Sequence, residues 1–250
     1  MIYGVLALVA LALTASVPAR AAQDVQAPGS RPVETVSPPS ETAGADMETA
    51  TRPSEAATRV ADWIGASGDN GALPYIIIDK HAAALFLFDA KGKSLGEAPV
   101  LIGVGIGDDA TPGVGSKSLA EIGPAERTTP AGRFLAKFGL AVGKQRVLWV
   151  DYGTSVALHP VPTGNKKERR RARLLSPTSE DNRITFGCIN VPLAFYSGKV
   201  RPIFRRKGGV VYILPDTKPI EDVFPRLHVQ PVSNGDLVQR PQELDVAGTP

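Results

Sequence analysis

Short apolar runs separated by turn residues fill the middle of the chain. Tyr75-Ile76-Ile77-Ile78-Asp79 and Ala84-Leu85-Phe86-Leu87-Phe88 are β-branched or aromatic runs on either side of Lys80-His81, a pattern that predicts a β-hairpin. Residues 98–104, 132–138, 147–152 and 155–158 continue the series, and Gly209-Val210-Val211-Tyr212-Ile213-Leu214 closes it. No long helical period interrupts these runs, and they do not alternate with helices of crossover length. The pattern therefore predicts a mainly β (β-rich α+β), antiparallel, sandwich-like domain with a few short helices, rather than a parallel α/β fold. Ahead of the first strand, Ala57, Val60, Ala61 and Ile64 recur at helical spacing behind Ser54. They predict a capped helix through Trp63-Ile64, stopped by the turn residues of 65–71.

The two ends of the chain read differently. Residues 4–13 are apolar and are followed by the small-residue pattern Ala19-Arg20-Ala21, the arrangement of a secretory signal over residues 1–21. Only the amino terminus supplies positive charge ahead of that run, so an uncleaved anchor is the alternative. No cysteine stands near the cleavage region to carry a lipid. Residues 22–53 are rich in Pro, Ser, Thr and Glu and have almost no large apolar side chain, so they predict a disordered linker. The domain itself is placed at 54–216, with its core from 74 onward; about 140 residues suit one hydrophobic core. Residues 217–250 form a Pro-rich tail in which Phe224 and Leu227 are candidates to drape over that core.

Charge is local. Lys166-Lys167-Glu168-Arg169-Arg170-Arg171-Ala172-Arg173 carries a net +5, while the whole 250-residue chain is only +3, so the remainder is slightly acidic. The run suits a solvated helix face or an arm that attracts an anionic polymer or lipid. The export signal and the lack of interleaved aromatics argue against nucleic acid. Other motifs fall away on inspection. Gly103-Val104-Gly105-Ile106-Gly107 does not complete G-x-G-x-x-G, and Gly92-Lys93-Ser94 lacks the leading glycine of a phosphate loop. Three scattered histidines (His81, His159, His228) and one cysteine argue against zinc. Asp108-Asp109 and Glu180-Asp181 read as turn and loop carboxylates.

The only cysteine, Cys188, lies in Ile184-Thr185-Phe186-Gly187-Cys188-Ile189-Asn190. A lone cysteine in an exported chain closes no internal disulfide. It is an apolar filler, an intermolecular bridge or a reactive thiol. Asn190 as a cap and Pro192 in a first turn predict a helix from Val191 to Tyr196, whose N–H groups would favour the thiolate. Upstream, His159 ends a predicted strand. A neutral imidazole beside a thiol can remove its proton and later return one to a leaving amine, with a backbone carbonyl orienting the ring.

Together, Thr185-x-Gly187-Cys188-Ile189-Asn190, the strand ending at His159, and Thr129-Pro130-Ala131-Gly132-Arg133-Phe134 resemble the L,D-transpeptidase (YkuD-type) catalytic domain over residues 74–216. The resemblance implies a β-rich fold with its cysteine in a cleft, acting without metal or organic cofactor on peptidoglycan stem peptides in the periplasm or cell envelope. It implies Cys188 as nucleophile, His159 as base and the Pro160 carbonyl as its orienting group, with the N–H of Gly187 or Cys188 at the oxyanion. Thr185, Phe186, Asn190 and Arg183 are the candidates for lining the substrate pocket. Three features depart from the family pattern. Phe186 stands where a histidine is usual, the interval from His159 to Cys188 is long and holds the basic run, and a proline follows the base. The implied reaction releases the terminal D-Ala of a tetrapeptide stem and transfers the remaining acyl group, through Cys188, to an amine. Water as acceptor would make the chain an L,D-carboxypeptidase, and loss of turnover through Phe186 would make it a peptidoglycan-binding domain.

Overall fold

A computed structural model describes residues 52–228. The signal segment, nearly all of the linker and the end of the tail lie outside them. Helix α1 (Glu55–Ser67) opens the described chain, with the Ser54 hydroxyl accepting from Ala57 N–H at 3.0 Å. It runs one turn past the predicted end because the residue that takes the left-handed conformation and closes it is Gly68, not Gly65.

Ten strands follow: β1 (Tyr75–Asp79), β2 (Ala84–Phe88), β3 (Ser94–Pro99), β4 (Ile102–Gly103), β5 (Gly132–Leu140), β6 (Arg146–Asp151), β7 (Val156–Pro160), β8 (Arg183–Thr185), β9 (Ile189–Val191) and β10 (Gly209–Ile213). Eight form one sheet in the order β3-β2-β1-β10-β5-β6-β7-β9, and β4 pairs with β8. The β1–β2 hairpin has the predicted register, Tyr75 opposite Phe88 and Asp79 opposite Ala84. The single strand predicted over 98–104 is divided in two. Pro99 ends β3 on the sheet edge, and Ile102–Gly103 then changes partner to β8.

The long strand β5 joins the two halves of the sheet. Its first part, Gly132 to Ala136, pairs with β10, and its second, Lys137 to Leu140, pairs with β6. Side chains from both halves meet in one core that includes Ile76, Leu85, Leu148, Leu158, Ile189 and Val211. The opposite face of the first half carries Tyr75, Ile77, Phe86, Val210 and Tyr212, covered by Val60, Trp63 and Ile64 of α1 and by Phe224 and Leu227 from the tail. The sheet thus buries both faces over this half, which explains the unbroken apolar runs in β1 and β10.

Pairing is mainly antiparallel, as the pattern predicts, but β1–β10, β4–β8 and β7–β9 are parallel. A parallel pair needs a long crossover connection. For β7–β9 that connection is the 161–188 segment, which contains the basic run. It folds as a 3-10 turn (Lys166–Glu168), the short helix α2 (Arg170–Leu174) and a second 3-10 turn (Ser179–Asn182) before β8. Further helical elements among the described residues include α3 (Leu193–Phe195), a π turn (Tyr196–Val200), α4 (Arg201–Phe204) and α5 (Ile220–Val223), besides several short 3-10 turns.

Candidate active site

The helix start predicted at Val191 is displaced. Residues 189–191 are a buried strand, and the helix begins at Leu193 behind Pro192. Asn190 is therefore a strand residue rather than a cap, and Cys188 enters a strand instead of facing a helix N-terminus. Pairing of β9 with β7 on one side and of Asn190 with Leu101 on the other draws these residues into extended backbone. That tertiary pairing outweighs the local preference of Asn and Pro for a helix start.

The loop holding Cys188 is tied down from several directions. Thr185 Oγ1 donates to the Cys188 carbonyl at 2.6 Å and accepts from Gly187 N–H at 3.1 Å. Thr129, from the Thr-Pro segment of the sequence motif, is fully buried; its hydroxyl donates to the Gly187 carbonyl and accepts from Gly103 N–H, both at 2.9 Å. Gly187 has φ +121°, and a Cβ there would stand 2.7 Å from the Thr128 carbonyl. Both the conformation and the close approach require glycine. The Gly187 N–H is thus already engaged by Thr185, and of the two donors named for an oxyanion, the Cys188 N–H is the one with no bond to another described residue.

The register of β7 against β9 sets His159 opposite Asn190. Its Nδ1 lies 2.9 Å from the Pro160 carbonyl and its Nε2 lies 3.2 Å from Asn190 Nδ2. Cys188, two residues before Asn190, has its Sγ 3.7 Å from the Ser155 carbonyl. No hydrogen bond joins Sγ to His159 among the described residues. Burial pushes the thiol up, outweighing a β7 backbone contact and the Arg170 charge, which favour the thiolate. Burial also pushes the His159 imidazole down, and Arg170 adds to that, against the Pro160 bond. Both shifts favour a neutral thiol beside a neutral imidazole at neutral pH.

This has a direct readout, since Cys188 is the only thiol in the chain. Its alkylation by iodoacetamide is expected to quicken about tenfold per pH unit through pH 8 and beyond the ordinary thiol value of about 8.5. A plateau below pH 8 would instead mean a thiolate held by ion pairing.

The other candidates fall in different places. Phe186 is half-buried with the Arg127 guanidinium 4.0 Å from its ring centroid, and Arg127 is itself held by the Ile122 carbonyl. The position of the family's usual histidine is therefore a cation–aromatic contact. Arg183 pairs through Nη2 with Asp216 at 2.6 Å, so its charge is matched in a buried ion cluster with Lys80 and Asp108. Thr185 has its hydroxyl committed in both directions and shapes the loop. Sequence reasoning missed Arg127, which carries no motif signal. It also missed the inward role of Arg170, visible only as one cation within a basic run. Among the described residues, no group of three or more His, Cys, Asp or Glu is placed to hold a metal ion.

No known family profile and no curated protein matches the chain. Solved structures that resemble it include the catalytic domain of the E. faecium L,D-transpeptidase, at 18% identity over 56% of this chain and 96% of that one, with a TM-score of 0.30. Another is the L,D-transpeptidase from Xylanimonas cellulosilytica (residues 123-326), at 15% identity over 63% of this chain and 80% of that one, with a TM-score of 0.35. What the site can do chemically follows from its own side chains.

Proposed function

We propose that this chain is an exported cysteine acyltransferase of the L,D-transpeptidase type, acting on peptidoglycan tetrapeptide stems. The observation that carries the reading is that the sole cysteine immediately precedes β9, whose pairing with β7 sets His159 opposite Asn190, with the imidazole oriented by the Pro160 carbonyl. The sequence resemblance supplies the substrate class.

In the proposed reaction, His159 Nε2 takes the Cys188 proton as Sγ attacks the carbonyl between the third stem residue and the terminal D-Ala. The C–N bond breaks, the imidazolium returns its proton to the departing D-Ala amine, and the stem stays on Cys188 as a thioester. An acceptor amine then attacks the thioester, passes a proton through His159 and releases the Cys188 thiol. Cys188 N–H is the backbone donor for the tetrahedral oxyanion. The transfer requires Sγ to leave the Ser155 carbonyl and Nε2 to leave Asn190; catalytic hydrogen bonds commonly tighten only in the substrate complex. The basic crossover adds attraction for anions, since Lys166, Lys167, Arg169 and Arg171 are all exposed. An anionic wall polymer or lipid is its proposed contact.

A second reading, a stem-binding domain without turnover, is favoured by the missing Sγ–His159 bond and by Phe186. Intact mass of the mature protein after incubation with tetrapeptide muropeptides separates the two. The enzyme reading expects an adduct of the stem lacking D-Ala, absent in Cys188→Ala, with D-Ala released. Binding that survives Cys188→Ala and leaves no adduct would establish the second reading. If the tripeptide acid accumulates, water is the acceptor and the chain is an L,D-carboxypeptidase.

A further inference from the structure

The basic crossover sends one of its cations inward. Arg169 takes a left-handed conformation (φ 50°) between the 3-10 turn and α2, which sets Glu168 and Arg170 side by side. The Arg170 side chain is only 12% exposed, and its Nε donates to Glu168 Oε2. Its Nη1 donates to Asn190 Oδ1 at 2.7 Å. Asn190 is completely buried, and its other amide atom faces His159 Nε2.

The chemistry of the donors leaves one consistent assignment. A guanidinium only donates, so the Asn190 atom it meets is the carbonyl oxygen. The atom facing His159 is then the amide nitrogen, also a donor, so Nε2 presents a lone pair. The neutral ring therefore carries its hydrogen on Nδ1, where the Pro160 carbonyl, which only accepts, receives it. The direction of every bond follows from the guanidinium at one end and the carbonyl at the other.

We propose that Arg170 is a positioning residue that, through Asn190, holds His159 in the Nδ1–H tautomer with its Nε2 lone pair free of hydrogen. That tautomer is the one able to take the thiol proton. A ring protonated on Nε2 would present a hydrogen to Sγ in place of a lone pair. The crossover is thus wired to the base as well as facing solvent with its remaining cations. The tautomer stands on geometry alone, while its consequence for catalysis rests on the acyl-transfer reading above.

The test uses the full mature chain labelled with 15N. Long-range proton–nitrogen correlation distinguishes Nδ1–H from Nε2–H, and loss of one imidazole in His159→Gln assigns the signals. The groups around the ring are Arg170 of α2, Cys188 and Asn190 of the loop and β9, and Pro160 of β7, with Glu168 bound to Arg170. Wild type is expected to show a single Nδ1–H form at neutral pH. Arg170→Met removes the donor, lets the Asn190 amide turn over, and yields a mixture containing Nε2–H. Arg170→Lys, which keeps a donor, retains the Nδ1–H form.

A second variant covers the case in which Arg170→Met disturbs the crossover. Asn190→Asp sets an acceptor-only group against Nε2 while Pro160 still accepts from Nδ1, so the ring stays doubly protonated to higher pH, by at least about one unit. Thioester formation in Arg170→Met is expected to slow in proportion to the Nδ1–H share lost, by about tenfold where Nε2–H makes up about nine-tenths of the mixture, because a base in the wrong tautomer is inactive. An unchanged tautomer in a folded Arg170→Met protein would overturn the proposal, and where that variant disturbs the crossover, an unmoved His159 titration in Asn190→Asp would overturn it. The predicted tautomers without any thioester in wild type would sink the acyl-transfer reading alone. Wild-type thioester rates in an Arg170→Met protein of altered tautomer would sink the catalytic consequence alone.

Discussion

Replacing His159 with glutamine is expected to slow acylation of Cys188 by about 10²–10⁴-fold, the usual contribution of a general base. The side-chain amide of glutamine offers both a donor and an acceptor, so it can answer the Pro160 carbonyl and the Asn190 amide, but it cannot take a proton. Thermal unfolding should therefore stay close to wild type while the rate of thioester formation collapses. An unchanged rate would remove His159 from the mechanism. A collapse in rate and stability together would make it a structural residue.

The pH profile adds a second handle. Burial holds the imidazole below its ordinary value and the thiol above its own. A neutral pair is thus the resting state across the whole interval between them. Wild-type acylation should be broad and level over that interval, falling on the acid side only below the ordinary imidazole value of about 6.5. A narrow optimum near neutrality would point instead to a thiolate–imidazolium pair.

The second large effect concerns stability. Asp108→Ala is expected to destabilise the domain by about 3–5 kcal/mol, the range for removing one partner of a buried ion pair. Lys80 Nζ has no exposed surface; it donates to Asp108 Oδ1 at 2.9 Å and to the Gly107 and Thr129 carbonyls, and Asp216 lies 3.1 Å away. Asp108 also accepts from the backbone N–H groups of Asp216, Thr217 and Lys218, so it fastens the tail to the core. Removing it takes one of two carboxylates from the buried Lys80 ammonium and leaves three amide hydrogens without their acceptor. Since a whole domain is stable by about 5–15 kcal/mol, such a loss is severe. Urea unfolding measures it, and a change below about 1 kcal/mol would show that Asp216 alone satisfies Lys80.

The sign with pH follows from the Asp108 carboxyl. Burial alone would raise it, but the Asp216 amide, Lys80, the Lys218 amide and the Thr217 hydroxyl together hold it far below the carboxylate range. A depressed carboxyl contributes its full stability above the unfolded value of about 3.9 and loses it as pH falls further towards the folded one. Wild type should therefore weaken between about pH 4 and pH 2 more steeply than Asp108→Asn. The cluster also reaches the candidate active site, because the Thr129 whose carbonyl binds Lys80 is the residue whose hydroxyl holds the Gly187 carbonyl.

Local pattern carried most of the architecture. Strand-forming runs marked the β1–β2 hairpin, β5, β6, β7 and β10 to within a residue or two at most ends, and Ser54 marked the start of α1. These features depend on nearest neighbours and on which face of a strand or helix meets apolar surface, and both are written in consecutive residues. The same reading singled out Cys188 and His159, residue types able to act as nucleophile and base, while the family resemblance pointed to the Thr-Pro segment and the Pro160 carbonyl.

Long-range pairing carried the rest. Asn190 and Pro192 look like a helix start until β7 and Leu101 draw residues 189–191 into strand. Asp108 looks like a turn carboxylate until Lys80 and residues 216–218 converge on it. Arg170 looks like one cation in a solvated run until a parallel crossover turns it onto Asn190. Each of these outcomes depends on groups 20 to more than 100 residues apart, for which no local period or spacing exists. The protonation states of Cys188 and His159 belong to this second kind. They are set by burial and by neighbouring donors, so a chain can announce a candidate nucleophile and base while the packed fold decides which atom holds the proton.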